Sequence, residues 1–141
     1  MIKDKFSEDG QYYFDICKQN GIKCNVLDES MDYSALLEKF NSYDYILDCI
    51  YGTGFSGDVK EPVYSLIKAI NDSNASVVSA DINSGMNGDT GESDICVNSD
   101  ITVSIGFLKK GLITNEASKH IGELINMDIG IVIENSDNRT V

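Results

Sequence analysis

The residues best suited to chemistry lie where acidic side chains meet glycines. Asp81 follows an apolar run and precedes Ile-Asn-Ser-Gly at residues 82–85 and Asp-Thr-Gly at residues 89–91. An acid at the end of a buried strand, before serine and glycines, is typical of a reactive site, because it can take a proton from a substrate hydroxyl or return one. The alternative is an aspartate that caps the turn after it. Both interpretations are open at this point.

A glycine-rich run follows a second apolar segment. Gly52, Gly54 and Gly57 have the G-x-G-x-x-G spacing, directly after residues 45–51, and a helical pattern opens near Pro62. A strand, a glycine turn and a helix present backbone N–H groups and a helix N-terminus to a phosphate. The run therefore predicts a nucleotide-like anion. One alternative is a tight turn that binds nothing. The other is an NAD-dependent oxidoreductase, but such an enzyme also needs a place for a second substrate and a hydride acceptor, and we find no group for that.

One lysine and two oxygen ligands complete the set of candidates. Lys109 follows a predicted strand, where it can reach a phosphate or stabilise an anion, and its alternative is a solvated loop charge. Asp48 and Ser84 offer hard oxygen atoms that suit an alkali or alkaline-earth ion. His120 is the only histidine, and we expect it at the surface, so no transition-metal site is predicted.

The composition bounds the class of protein. The chain has 141 residues and a net charge of −12, which disfavours nucleic acid as a partner but permits a phosphorylated ligand bound through backbone dipoles. No apolar stretch approaches the roughly 20 residues of a membrane span, and no secretory signal opens the chain. The cysteines form no C-x-x-C pair, so we expect reduced thiols and a cytoplasmic protein. They are Cys17, Cys24, Cys49 and Cys96.

Helical and strand patterns alternate along the chain, and these elements must position the candidates. The predicted helices are residues 7–20, 33–40, 62–71 and 115–121, and the predicted strands are residues 22–27, 45–51, 76–82, 101–107 and 124–133. The pattern predicts a single α/β domain over residues 1–141, a three-layer α/β/α Rossmann-like fold with a mostly parallel sheet. Asp48, the glycine turn and Asp81 then fall at the carboxyl ends of strands, where such sheets bind ligands. Residues 134–141 are predicted to be loose.

Three ordered segments carry a resemblance to a known family. They are residues 48–58 with Glu61-Pro62, residues 81–85 with 89–91, and residues 102–104 running to 109–112. Their order and spacing resemble the NAD(P)H-hydrate epimerase family, also called the YjeF N-terminal domain. Residues 128–131 are similar to the last strand of that family.

The resemblance implies a reaction and its partners. The family interconverts the R and S forms of hydrated NADH and NADPH, in which the nicotinamide ring carries a hydroxyl at C6, so that a dehydratase can restore the coenzyme. It implies a homodimer, a potassium ion and a functional link to NAD(P)H-hydrate dehydratase. The implied reaction agrees with the residue types, because inverting C6 needs a group that moves a proton to and from the hydroxyl oxygen, and it needs no redox partner.

The resemblance also implies a role for each candidate, carried over by position. Asp81 is the expected catalytic shuttle and contacts the substrate, Lys109 binds the substrate, and Asp48 and Ser84 bind the potassium ion. The dinucleotide is held by Gly52, Thr53, Gly54, Phe55, Ser56, Gly57 and Asp58.

Two departures from the family pattern affect these expectations. Asn83 stands where the family usually has proline, and asparagine adopts similar turns. The early Asn-Asn-Gly-Gly-Asp loop of the family, which binds phosphates and supplies an asparagine to the potassium ion, is absent, so the domain is predicted to be N-terminally incomplete. The alternative to an epimerase is therefore a non-catalytic ligand-binding or scaffold module of the same fold.

Overall fold

The computed structural model describes residues 6–27 and 32–131. The helices are α1 (Glu8–Gln19), α2 (Tyr33–Phe40) and α3 (Val63–Asn71), and the strands are β1 (Tyr45–Asp48), β2 (Ser76–Ala80), β3 (Ser99–Ile105) and β4 (Ile121–Met127). Two short 3-10 turns, Lys110–Ile113 and Ala117–Lys119, connect β3 to β4. None of these helices has the length and apolar composition that a bilayer crossing needs within the described ranges.

The strands form one parallel sheet in the order β1-β2-β3-β4. In the register of this sheet Asp48 lies beside Ser79, and Ser79 lies beside Thr102. Because parallel strands run in the same direction, the segments that follow β1, β2 and β3 all leave the sheet at one edge. The predicted α/β fold and its parallel sheet are confirmed, and this edge gathers the candidate residues.

Helices cover one face of the sheet. The α3 side chains Val63, Ile67 and Ile70 are spaced for a single helical face, and they pack with Val77 of β2 and Val97 in a buried cluster. Among the described residues, the opposite face of the sheet has exposed apolar side chains. These exposed side chains include Leu47, Ile105, Ile125 and Met127. Helix α1 has no buried residue.

The prediction of a strand at residues 22–27 is wrong. The structure assigns no strand there, and Leu27 instead joins a cluster with Leu36 and Ala69 on the helices. An apolar run becomes a strand only when a neighbouring strand pairs with its backbone, and a sequence pattern does not contain that information. The predicted loose tail at residues 134–141 lies outside the described residues.

Several predicted boundaries also differ from the structure. Strand β1 ends at Asp48 rather than at residue 51, because the next backbone N–H groups donate to side chains: Ile50 to Asp48 and Tyr51 to Ser84. Strand β4 is Ile121–Met127 rather than residues 124–133, since its pairing with β3 already begins at Ile121. The predicted last strand thus overlaps β4 over residues 124–127, whereas residues 128–131 are not in a strand. The predicted helix at residues 115–121 is wrong, because only a short 3-10 turn, Ala117–Lys119, forms there.

We expect Gly85→Ala to destabilise the protein far more than Gly21→Ala. Both glycines have a left-handed backbone, with φ of 96° and 72°, but a Cβ at Gly85 would lie 2.3 Å from the carbonyl oxygen of Ile95, whereas nothing lies within 4 Å at Gly21. The backbone penalty alone predicts a loss of about 1–2 kcal/mol for Gly21→Ala. At Gly85 the steric overlap adds to the backbone penalty, so we expect Gly85→Ala to lower the free energy of unfolding by about 2–5 kcal/mol. Urea unfolding measures both, and equal losses would contradict this packing.

Candidate functional site

Asp81 lies just beyond β2 in a backbone conformation that is uncommon for residues other than glycine. Its φ is 71°, in the left-handed region where non-glycine residues are uncommon and concentrate at functional sites. Two hydrogen bonds hold it there: its N–H donates to the carbonyl oxygen of Val103 at 2.7 Å, and its Oδ1 accepts from the N–H of Ile105 at 3.2 Å. Asp81 is thus attached to β3 through both backbone and side chain.

Lys109 forms an ion pair with Asp81. Its Nζ donates to Asp81 Oδ1, to the carbonyl oxygen of Ile105 at 2.9 Å and, at 3.4 Å, to Ser104 Oγ. The lysine side chain is only 15% exposed and the aspartate side chain 31% exposed. Lys109 is therefore not the solvated loop charge of the alternative interpretation, and Asp81 does not serve only as a turn cap.

The ion pair lies in the wall of an open cavity of about 470 Å³. The cavity is lined by Thr53, Asp81, Ile105, Phe107, Lys109 and Ile131. It brings together a residue of the glycine turn, the predicted proton shuttle and the predicted lysine. The rest of the lining is mostly apolar and includes Phe107, so the cavity suits a ligand that combines an apolar surface with a few polar groups. A second groove, of about 210 Å³ beside α2, has no acidic side chain among the described residues that line it.

The glycine turn presents an exposed backbone. Gly52 and Gly54 lie outside the left-handed region, and a Cβ at either would meet nothing within 4 Å. Neither packing nor backbone strain therefore requires glycine here, and the absence of side chains leaves room for a ligand close to the main chain. Of the segment 52–58, Thr53 reaches the cavity, and Phe55 is half-buried and stacks on Tyr51 with ring centroids 4.5 Å apart.

The N-terminus of α3 is not free to bind a phosphate. The N–H groups of Val63 and Tyr64 both donate to the carbonyl oxygen of Lys60, at 3.0 and 3.1 Å, and the N–H of Ser65 donates to Glu61 Oε2 at 3.2 Å. The expectation that this helix terminus holds the anion is therefore wrong, because residues 58–62 separate it from the turn and cap it. Within this strand-turn-helix segment, the turn is the part that leaves its main chain exposed.

Asp48 and Ser84 form a buried hydrogen-bonded pair. Asp48 is 1% exposed and Ser84 is fully buried. Asp48 Oδ1 accepts from Ser84 Oγ at 2.5 Å and from the N–H of Ile50 at 3.2 Å, and Oδ2 accepts from Ser79 Oγ and the N–H of Ser84, both at 2.9 Å. Ser84 Oγ in turn accepts from the N–H of Tyr51 at 2.8 Å.

These contacts bear on the predicted potassium ion. A carboxylate has about four lone-pair directions, and the hydrogen bonds from Ser79, Ser84 and Ile50 use all of them for Asp48. Both residues supply hard oxygen atoms, but as arranged they do not fit a cation, because a cation would have to displace an internal hydrogen bond. The potassium site stays a prediction of the resemblance.

Asn83 is a site residue whose function the sequence analysis did not identify. Its side chain is completely buried. Nδ2 donates to the carbonyl oxygen of Val97 at 2.8 Å and to Ser99 Oγ at 3.0 Å, and Oδ1 accepts from Thr102 Oγ1 at 2.6 Å. Asn83 thus fastens the loop after Asp81 to β3. The available signal was the polar residues of β3, among them Ser99 and Thr102, since buried hydroxyl groups need hydrogen-bond partners.

Cys49 lies beside Asp48 but is not a poised nucleophile. Although Cys49 is exposed, partial desolvation and, to a smaller extent, the negative charge of Asp48 raise the pKa of its thiol above the ordinary value. The thiol therefore stays protonated at neutral pH, and the thiolate is the reactive form. Covalent catalysis by this cysteine is therefore disfavoured, and the acid-base role of Asp81 stays a prediction.

Comparisons with known proteins agree with this arrangement. Residues 1–111 match the family described as YjeF-related protein N-terminus. The chain is 44% identical over 89 residues to the bifunctional NAD(P)H-hydrate repair enzyme Nnr of Methanothermobacter thermautotrophicus, which covers 62% of this chain and 17% of that protein. It is 29% identical over 130 residues to the NAD(P)H-hydrate epimerase of Oenococcus oeni, which covers 92% of this chain and 58% of that protein.

A solved structure has the same fold. The crystal structure of yeast YNL200c matches with a TM-score of 0.56 and 28% sequence identity, over 83% of this chain and 47% of that chain. The chain thus spans at most 58% of the length of the three proteins compared here. The match over residues 1–111 confirms the resemblance, and the chain belongs to the family of YjeF-related protein N-terminal domains.

Proposed function

We propose that this chain binds hydrated NADH or NADPH and interconverts the R and S forms at C6 of the nicotinamide ring. The observation that carries the proposal is the cavity in which Thr53 of the glycine turn, Asp81 and Lys109 meet. Relatives named NAD(P)H-hydrate epimerase and bifunctional repair enzyme support the choice of substrate. In this arrangement the ring enters the cavity and the phosphates lie along residues 52–58.

Asp81 is the proton shuttle in this proposal. In a ring-opening route, the C6 hydroxyl proton passes to the Asp81 carboxylate as the C6–N1 bond breaks, and protonated Asp81 then delivers that proton to N1, which gives an aldehyde and an N–H. Closure on the other face of C6 reverses both transfers. In the alternative route the carboxylic acid form of Asp81 protonates the C6 hydroxyl, which leaves as water and gives an iminium ring, and the Asp81 carboxylate takes the proton back from the water that adds to the other face. Both routes are redox-neutral, so a single positioned carboxylate is sufficient.

The remaining residues bind and orient the substrate. The Lys109 ammonium fixes Asp81 Oδ1 on one side, which leaves Oδ2 for the substrate hydroxyl. The exposed main chain at Gly52 and Gly54 supplies backbone dipoles for the pyrophosphate. No step of this mechanism passes through a metal ion.

The proposal extends to partners. Two archaeal relatives are named bifunctional NAD(P)H-hydrate repair enzymes, and we propose an NAD(P)H-hydrate dehydratase as the enzyme that consumes the product. The homodimer stays a prediction of the resemblance, and sedimentation velocity of the purified chain measures it.

We expect the purified chain to accelerate equilibration of R-enriched hydrated NADPH, and Asp81→Asn to reduce that rate by about 10²–10⁴-fold through loss of the proton shuttle. Chiral chromatography of the two epimers over time measures the rate. Asp44→Asn is the matched control, because Asp44 is an exposed acid at the amino end of β1. A full rate in Asp81→Asn would refute the role of this residue. Substrate binding without turnover by the unaltered chain would favour the non-catalytic module.

We expect substrate affinity to be the same in potassium and lithium buffers. The physical reason is the saturated Asp48 carboxylate, which offers no lone pair to a cation. Isothermal titration with hydrated NADPH in matched chloride salts measures the affinity, and sodium is the control for ionic strength. Clearly tighter binding in potassium would show instead that the Asp48 and Ser84 hydrogen bonds rearrange to hold the ion.

A further inference from the structure

The charges in the cavity wall cancel. Among the described residues that line the cavity, Asp81 and Lys109 are the charged ones, and they form a hydrogen-bonded ion pair. The other lining residues are Thr53 and the apolar side chains Ile105, Phe107 and Ile131. A ring bound here therefore meets an apolar surface and a polar pair with no net charge.

Nicotinamide dinucleotides differ at the ring in one property that such a wall can detect. The oxidised ring carries a positive charge, whereas the reduced and hydrated rings are neutral. A cation that enters a partly apolar cavity loses hydration and needs a compensating charge. Asp81 alone would supply that charge, but the ammonium of Lys109 on the same Oδ1 offsets it. The phosphates and the adenosine are the same in both forms, so only the ring end can distinguish them.

We propose that Lys109 is a specificity-determining residue, which makes the cavity select uncharged nicotinamide rings over the cationic ring of the oxidised dinucleotides. This inference rests on the substrate-binding part of the proposed function. Lys109 has the position that the role requires: its side chain is 15% exposed, and its Nζ is anchored to the carbonyl oxygen of Ile105 as well as to Asp81. The ammonium is thus held against the cavity rather than in solvent.

The test uses NADPH and NADP⁺ as probes for a neutral and a cationic ring, and compares the ratio of their dissociation constants. Lys109→Met leaves a net negative charge in the wall. We expect this charge to strengthen the binding of NADP⁺ relative to NADPH by about five- to tenfold, which is the effect of one screened unit charge about 5 Å from the ring. Asp81→Asn leaves a net positive charge and moves the ratio the other way. The double variant Asp81→Asn with Lys109→Met returns it close to the unaltered value.

Lys110→Met is the matched control, since Lys110 is the exposed neighbouring lysine and does not line the cavity. It removes the same charge and should leave the ratio unchanged. Melting temperatures of all variants report on folding, because Lys109→Met also loses the hydrogen bonds to Ser104 and Ile105. A purely structural effect weakens both probes equally and leaves their ratio unchanged.

The outcomes separate this inference from the proposed function. If both probes bind but the two single variants leave the ratio unchanged or move it in the same direction, the charge selection by Lys109 is refuted and the proposed binding site stands. If the ratio shifts as expected but hydrated NADPH is not epimerised, the selection is supported and the proposed reaction fails. If the unaltered chain binds neither probe, the charge selection is overturned; if it also fails to bind hydrated NADPH, the proposed function is overturned as well.

Discussion

The buried carboxylate of Asp48 is the interaction on which the carboxyl edge of the sheet depends. It accepts hydrogen bonds from Ser79 on β2, from Ser84 in the loop after β2, and from Ile50 in the turn after β1. A charge that is 1% exposed is tolerated only when its lone pairs are satisfied. The hydrogen bonds that satisfy Asp48 also join the glycine turn to the loop that carries Asp81. The same saturation leaves no free lone pair for a cation.

The loop after β2 is fastened on both sides. Ser84 attaches it to β1 through Asp48, and Asn83 attaches it to β3 through Thr102. Asp81 lies at the start of this loop with a φ of 71°, a conformation that costs free energy and persists only when the surroundings impose it. Its contacts with Ile105 and Lys109 provide that constraint. The carboxylate is thus preorganised, which a proton shuttle requires.

Membership of the YjeF-related family and the geometry of the cavity support each other. The family assignment rests on residues 1–111, and this range includes the glycine turn, Asp81 and Lys109, which meet at the cavity. The anion-binding part of the site differs from the common strand-turn-helix arrangement, since the N-terminus of α3 is capped by Lys60 and Glu61. The exposed main chain of the turn is therefore the part of this segment that can contact a ligand.

Much of the fold was predictable because its signals are local. The helix at Tyr33–Phe40 has apolar residues at helical spacing, and the central strands are short apolar runs between turn residues. Alternating helices and strands predict a parallel sheet, and a parallel sheet brings Asp48, the glycine turn and Asp81 to one edge. Where strand pairing decides the outcome, as at residues 22–27 and 128–131, the local pattern failed, because a strand also needs a partner from elsewhere in the chain.

The sequence by itself determined the fold class, the family, and the identity of the residues at the carboxyl edge, because residue type and spacing carry that information. Tertiary structure decided that Lys109 pairs with Asp81 across 28 residues of sequence, that Phe107 and Ile131 line the cavity, and that the lone pairs of Asp48 are already in use. The physical reason is that hydrogen bonds and ion pairs depend on distances of a few ångströms between segments remote in sequence, and those distances exist only once the chain has packed.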